Sequence, residues 1–183
     1  MIQRSTIAIA AFTLAVVMNS GLVQASTSVA HGNKDVAAQI RGEIAGLPYA
    51  TVWDWVEAEM RPDGSVVLRG DVLRPSTKSD AEFRIRRIET VSSVVNEINV
   101  LPLSKFDNDI RVGVYRSLFN ANFPLFRYSL GSDPSIHIIV ENGKVTLKGV
   151  VSTSMDKQLA AVAANRVFGV FNVDNQLKLE SEL

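Results

Sequence analysis

Two periodicities alternate along this chain, and they do so in the same order twice. Val36, Ile40 and Ile44 fall four residues apart, which predicts an amphipathic helix stopped by Gly46 and Pro48. Ile110, Val114 and Leu118 repeat that spacing. Asn33 and Asn108 are the expected N-caps, and Asp109 favours the second helix start. A strand pair follows each helix. Thr51 to Met60 leads through Pro62-Asp63-Gly64 into Val66 to Val72. Ile136 to Val140 leads through Asn142-Gly143, a strong hairpin signal, into Val145 to Val151. Helical spacing then returns. Ala81, Ile85 and Ile88 share a face in one copy, and Ala160, Ala163, Ala164 and Val167 in the other. Ser79 with Glu82 reads as a capping box. Each copy closes on an alternating strand, Val94, Asn96, Ile98, Val100 and Val173, Asn175, Leu177, Leu179.

The two copies align without a gap. Gly64-Ser65-Val66-Val67-Leu68-Arg69-Gly70-Asp71-Val72 recurs as Gly143-Lys144-Val145-Thr146-Leu147-Lys148-Gly149-Val150-Val151. The match continues through Lys78/Lys157, Ala81/Ala160, Arg87/Arg166, Val91/Val170, Val94/Val173 and Asn96/Asn175. The expected fold is α+β: two αββαβ domains over 33–101 and 106–180, joined by Leu101 to Lys105. In each, a three-stranded mixed sheet is packed by two helices on one face. Gly70 and Gly149 interrupt strand-like sequence at the same place, which points to a backbone requirement. Gly143 serves the hairpin turn, and Gly169 lies where the last helix ends.

The first residues read differently. Arg4, the apolar run Ile7 to Met18 and the small-x-small site Val23-Gln24-Ala25 together form an expected signal peptide over 1–25. The run is shorter than the roughly 20 apolar residues of a spanning helix, so no membrane span is expected after cleavage. With no cysteine, disulfides, thiolate chemistry and a cysteine-linked lipid anchor are excluded. Removing Arg4 from a chain with 19 basic and 19 acidic side chains leaves a net charge near −1, which gives no footprint for nucleic acid.

Candidate chemistry is sparse. The two histidines, His31 and His137, lie in a polar leader and on an apolar strand. No local nucleophile–base motif or metal-ligand spacing is present, so neither catalysis nor a cofactor is expected. Asp107-Asn108-Asp109 reads as a helix start rather than a calcium loop. The densest feature is in the second copy, where Arg111, Tyr115, Arg116, Phe119, Phe123, Phe126, Arg127 and Tyr128 crowd together. Rings mixed with guanidinium groups suit a membrane interface. The other reading is that Phe119 and Phe123 fill the core beside Leu118 and the arginines coat it. We take Arg111, Tyr115, Arg116, Phe119, Phe123 and Arg127 as the candidate interface for lipid or a partner. Trp53 and Trp55 share a face if both lie on a strand, either inside a core or where the modules dock. Arg84, Arg86 and Arg87 form a basic patch that Glu82 and Glu89 partly neutralise.

The block Val145-x-Leu147-x-Gly149-x-Val151, followed by Val167-x-Gly169-Val170-x-x-Val173-x-Asn175-x-Leu177, resembles the BON domain. Val66-x-Leu68-x-Gly70-x-Val72 with Val91-x-x-Val94-x-Asn96-x-Ile98 resembles it again, with Thr90 in place of the glycine before Val91. The resemblance implies a tandem BON protein of the periplasm, concerned with osmotic or envelope stress and outer-membrane integrity. It implies contact with anionic phospholipid through one BON domain, on the first helix of the second copy. The alternative is an adaptor or chaperone-like role toward envelope proteins, with no lipid ligand.

Overall fold

The computed structural model describes residues 35–130 and 134–182. The expected signal peptide over 1–25, the Asn33 cap and His31 lie outside the described residues. Helix α1 occupies 35–45. The first module continues with β1 (Trp55–Met60), β2 (Ser65–Val72), α2 (Pro75–Arg86), β3 (Ser93–Asn96) and β4 (Asn99–Val100). The second repeats the order as α3 (Lys105–Leu118), β5 (Ile136–Glu141), β6 (Lys144–Val151), α4 (Ser154–Asn165), β7 (Asn172–Asn175) and β8 (Lys178–Leu179). It adds 3-10 segments over Pro124–Ser129 and Glu180–Glu182. The fold is α+β with two mixed sheets. In each, the hairpin is antiparallel and its second strand runs parallel to the last two short strands.

What reads as one closing strand is thus split in both modules, and the cause repeats with it. Asn96 accepts the Ile98 N–H at 3.2 Å and donates to the Lys78 carbonyl at 3.0 Å. Asn175 accepts from Leu177 at 3.3 Å and donates to Lys157 at 2.7 Å. The recurring Lys–Asn pairing therefore ties a helix backbone to an asparagine side chain. Across the sheet, Gly70 and Gly149 hold φ at 128° and 117°. A Cβ on either would lie 2.0 Å from a carbonyl oxygen, that of Trp55 or of Ser135. Only glycine permits that approach.

Helix boundaries depart from expectation at two places. Ser104, not Asn108, caps α3 by accepting the Asp107 N–H at 3.1 Å. Helix α2 starts at Pro75, which needs no N–H partner in the first turn. Ser79 is consequently inside the helix, donating to the Pro75 carbonyl at 3.1 Å, and it forms no capping box with Glu82. In the second module Thr153 caps α4 by accepting from Asp156 at 3.1 Å.

Each core lies between its sheet and its helices. Val66, Leu68, Ala81, Ile85 and Ile98 centre the first, and Ile110, Leu118, Ile138, Leu147 and Ala164 the second. Both modules belong to one compact unit, Val36–Leu183. They are joined by more than their linker. Thr51 to Asp54 form a turn rather than the start of a strand, so Trp53 and Trp55 do not share a strand face. Asp54, buried, fixes the turn by accepting the N–H and hydroxyl of Thr51, each at 2.8 Å, and the Leu73 N–H at 2.7 Å. Val52 projects from this turn into the core of the second module, and its carbonyl accepts the Ile138 N–H at 2.8 Å. Trp53 meets Tyr115 at 5.6 Å between ring centroids, and Trp55 meets His137 at 5.0 Å. Lys148 reaches Glu57 at 3.6 Å and lies over the Trp55 ring. The 51–54 turn and β1 of the first module thus meet α3, β5 and β6 of the second.

Candidate functional site

The first helix of the second module does not present the expected patch intact. Arg111 is 4 % exposed and Phe119 6 %, so both point inward. Helical spacing explains it: Ile110, Val114 and Leu118 define the buried stripe, and Arg111 borders it on the side that faces the hairpin. One guanidinium nitrogen of Arg111 donates to the Val140 carbonyl at 2.6 Å. Burial weakens this side chain's hold on its proton, opposed by the charges of Asp107 and Asp54. Asp107 is buried too, and accepts the N–H groups of Asn142 and Gly143 at 3.1 and 2.8 Å. It braces the hairpin turn. Phe123 is half-buried against the core. Tyr115 and Arg116 are exposed, although the Tyr115 ring also packs at a tilt against Trp53 and edge-on against Phe119.

Arg127 is exposed in part but committed. It donates to Asp156 at 2.6 Å and to the Tyr128 hydroxyl at 2.9 Å. Tyr128 donates to Asp156 at 3.0 Å, and Thr153 does so at 2.6 Å. Burial pushes the Asp156 carboxyl up, but the hydrogen bonds from Thr153 and Tyr128 and the Arg127 charge outweigh it. The group settles below the usual carboxylate range. This cluster ties the 3-10 segment to the start of α4. In the first module the arginine patch is similarly engaged. Arg84 pairs with Glu43 at 3.1 Å, Arg86 pairs with Glu82, and Arg87 lies over the Phe83 ring.

A different surface of the second module is strongly apolar. Phe168 is 97 % exposed, Phe171 78 % and Phe106 46 %. Phe168 and Phe171 lie in the loop from α4 to β7, and Phe106 in the first turn of α3. The Phe106 and Phe171 rings are 6.3 Å apart. Glycines let them gather: a Cβ on Gly143 would lie 2.4 Å from the Phe171 ring, and one on Gly169 3.2 Å from the Phe106 ring. Exposed Lys105, Lys144 and Arg166 stand around this tip, with Asp109 paired to Lys105 and Glu141 on the hairpin. None of the three phenylalanines was among the expected interface residues. The repeat carries the signal that would have found them. At the positions equivalent to Phe168 and Phe171 the first module has Glu89 and Ser92. The equivalence is structural, since Ser92 and Phe171 donate the same backbone hydrogen bond, to Gly64 at 3.0 Å and to Gly143 at 2.9 Å.

A groove of about 1000 Å³ runs along β1 between α1 and the second module. Ile40, Ile44 and Ala58 line it with charged Glu57, Glu59 and Lys178. Its carboxylates already have partners. Asp54 holds its own turn, Glu57 accepts from the Trp55 indole at 2.8 Å, and Glu59 accepts from Arg69 at 2.6 Å. Among the described residues no group of three His, Asp or Glu side chains gathers as a metal-ligand set. No helix among them is long and apolar enough to cross a membrane.

Comparison with known proteins gives one family and several distant structures. The C-terminal domain of CdsD, the structural protein of the type III secretion system of Chlamydia trachomatis, is 14 % identical over 79 % of this chain and 97 % of its own, with a TM-score of 0.30. A second structure of CdsD from the same organism is 12 % identical over 81 % of this chain and 94 % of its own, with a TM-score of 0.31. At those scores the likeness bears on neither fold nor function. No curated protein matches the chain. The model of the BON domain matches residues 33–102 and again 125–181. Two matches over most of the chain, on two modules of one αββαβ plan, make this protein a tandem member of the BON-domain family.

Proposed function

We propose that this protein is a non-enzymatic component of the bacterial envelope. It acts in the periplasm in envelope maintenance or under osmotic or envelope stress, by touching anionic phospholipid surfaces through its second module. The observation that carries this reading is the unequal dress of the two modules. The second exposes Phe106, Tyr115, Phe126, Phe168 and Phe171 beside free cationic side chains such as Lys144 and Arg116. In the first, the exposed Tyr49 and Phe83 rings lie under Arg74 and Arg87, at 5.7 and 5.5 Å. Rings at headgroup depth and cations on phosphate suit a peripheral contact. With few cations beside the rings, that contact is weak and salt-sensitive. Co-sedimentation with phosphatidylcholine vesicles, with and without phosphatidylglycerol, tests it. Binding that requires phosphatidylglycerol and fades with salt is the expected result. Equal failure on both vesicles at low salt removes the reading.

A second reading rests on the groove beside β1. The outward backbone groups of Val56, Ala58 and Met60 are not used in pairing with β2 and border that groove. An extended segment of another envelope protein can add to such an edge. This adaptor role predicts recovery of a specific periplasmic protein that an Ala58→Glu variant, which introduces a charge at the groove, no longer recovers.

A further inference from the structure

We infer that the second module meets the membrane end-on, inserting the Phe168–Phe171 loop, with Phe106 beside it, into the headgroup boundary of an anionic bilayer. The inference rests on the lipid reading above and moves its centre away from the flank of α3. Three observations carry it.

The first is cost. Phe168 exposes nearly all of its ring to water and Phe171 most of its own, the latter beside the Phe106 ring. Burial would recover that surface, and nothing in the described unit covers it. The second is an internal control. The first module closes the same turn, with the same backbone hydrogen bond, using Glu89 and Ser92. The fold therefore does not need phenylalanine at these positions. The difference also has a sign: Glu89 would repel an anionic surface, and Phe168 would not. The third is charge. The rings cap an end made of a hairpin turn and a loop, where exposed Lys144 and Arg166 stand near them and Lys105 is paired to Asp109. Exposed rings with unpaired lysine and arginine side chains beside them suit anionic headgroups over hydrocarbon.

The flank of α3 offers less. Of its expected contacts, Arg111 and Phe119 are buried and Arg127 is held by Asp156. Tyr115 and Arg116 remain, and Tyr115 shares its ring with Trp53.

Two experiments decide the matter, on chains beginning at Ser26, the form the expected cleavage leaves. The first transplants the first module's residues, as Phe168→Glu with Phe171→Ser. Because that pair already closes the equivalent turn, the variant should fold, with its thermal transition unchanged. Its partitioning onto phosphatidylcholine–phosphatidylglycerol vesicles should fall at least about tenfold. The second uses the absence of cysteine. A single environment-sensitive dye is placed by Phe168→Cys or, separately, by Arg116→Cys. The dye at 168 should shift to the blue on anionic vesicles, and the dye at 116 should shift less. If wild type binds and the double variant binds equally, or if only the dye at 116 enters the bilayer, the tip is overturned and the lipid reading stands. If wild type ignores anionic vesicles, both fall together. A blue shift at 168 that grows with protein concentration without vesicles, with a doubled mass, would assign the tip to self-association and overturn the proposal.

Discussion

Gly149 sits at φ 117°, and a Cβ there would meet the Ser135 carbonyl oxygen at 2.0 Å. Since the obstacle is backbone, no rotamer change relieves it. Gly149→Ala is expected to cost about 3 kcal/mol, read as a lowered midpoint in urea with unchanged slope. Asp156 works through charge instead. Its carboxyl is held below the ordinary value, so it contributes stability when ionised in the folded state. That contribution is present above the unfolded pKa of about 3.9 and is lost as pH falls through the lower folded value. Asp156→Asn should therefore lower stability at neutral pH by about 1–3 kcal/mol, leaving Tyr128 and Arg127 with a poorer acceptor. The gap between variant and wild type should close as the solution is taken from pH 5 toward pH 2. A gap that stayed constant over that range would mean that Asp156 acts through shape alone.

At the scale of elements, spacing marked the helices and strands because each has one buried face. It misled where a local group competes with the pattern. Pro75 starts α2 a turn before the Ser79–Glu82 pair, because a proline at the first helical position gives up no hydrogen bond. Asp54 bends the approach to β1 into a turn, and no periodicity shows a carboxylate folding back on Thr51 and forward to Leu73. For the candidate site, composition was legible in the sequence and burial was not. Arg111 and Phe119 belong to a helix whose stripe is wide enough to take them in, and the sequence alone does not state that width. Phe168 and Phe171 fall between the last helix and the closing strand, where no periodicity marks them. Their exposure follows from the turn over 166–170, which sends both rings outward. Setting the two copies against each other, position by position, separates what the fold needs from what one module adds.

For the whole molecule the two modules are joined unequally. The second core includes Val52 from the first module, while the first core cluster contains no residue of the second. Val52 also covers the open edge of β5 by accepting the Ile138 N–H. Excision should therefore harm one half more than the other. The first module taken alone keeps its core and should retain its own cooperative transition. The second taken alone loses a buried valine, a tryptophan contact and an edge hydrogen bond, and should be less stable than in the full chain by about 2–4 kcal/mol. In the full chain the Ile138 amide should exchange slowly with solvent, and in the excised second module quickly. Both tryptophans of the protein, Trp53 and Trp55, lie at this junction, so intrinsic emission reports on docking directly. Val52→Asp, which places a charge in the second core, should shift that emission to the red and split thermal unfolding into two steps. One sharp step with unshifted emission would mean that the modules are held by contacts other than the Val52 turn.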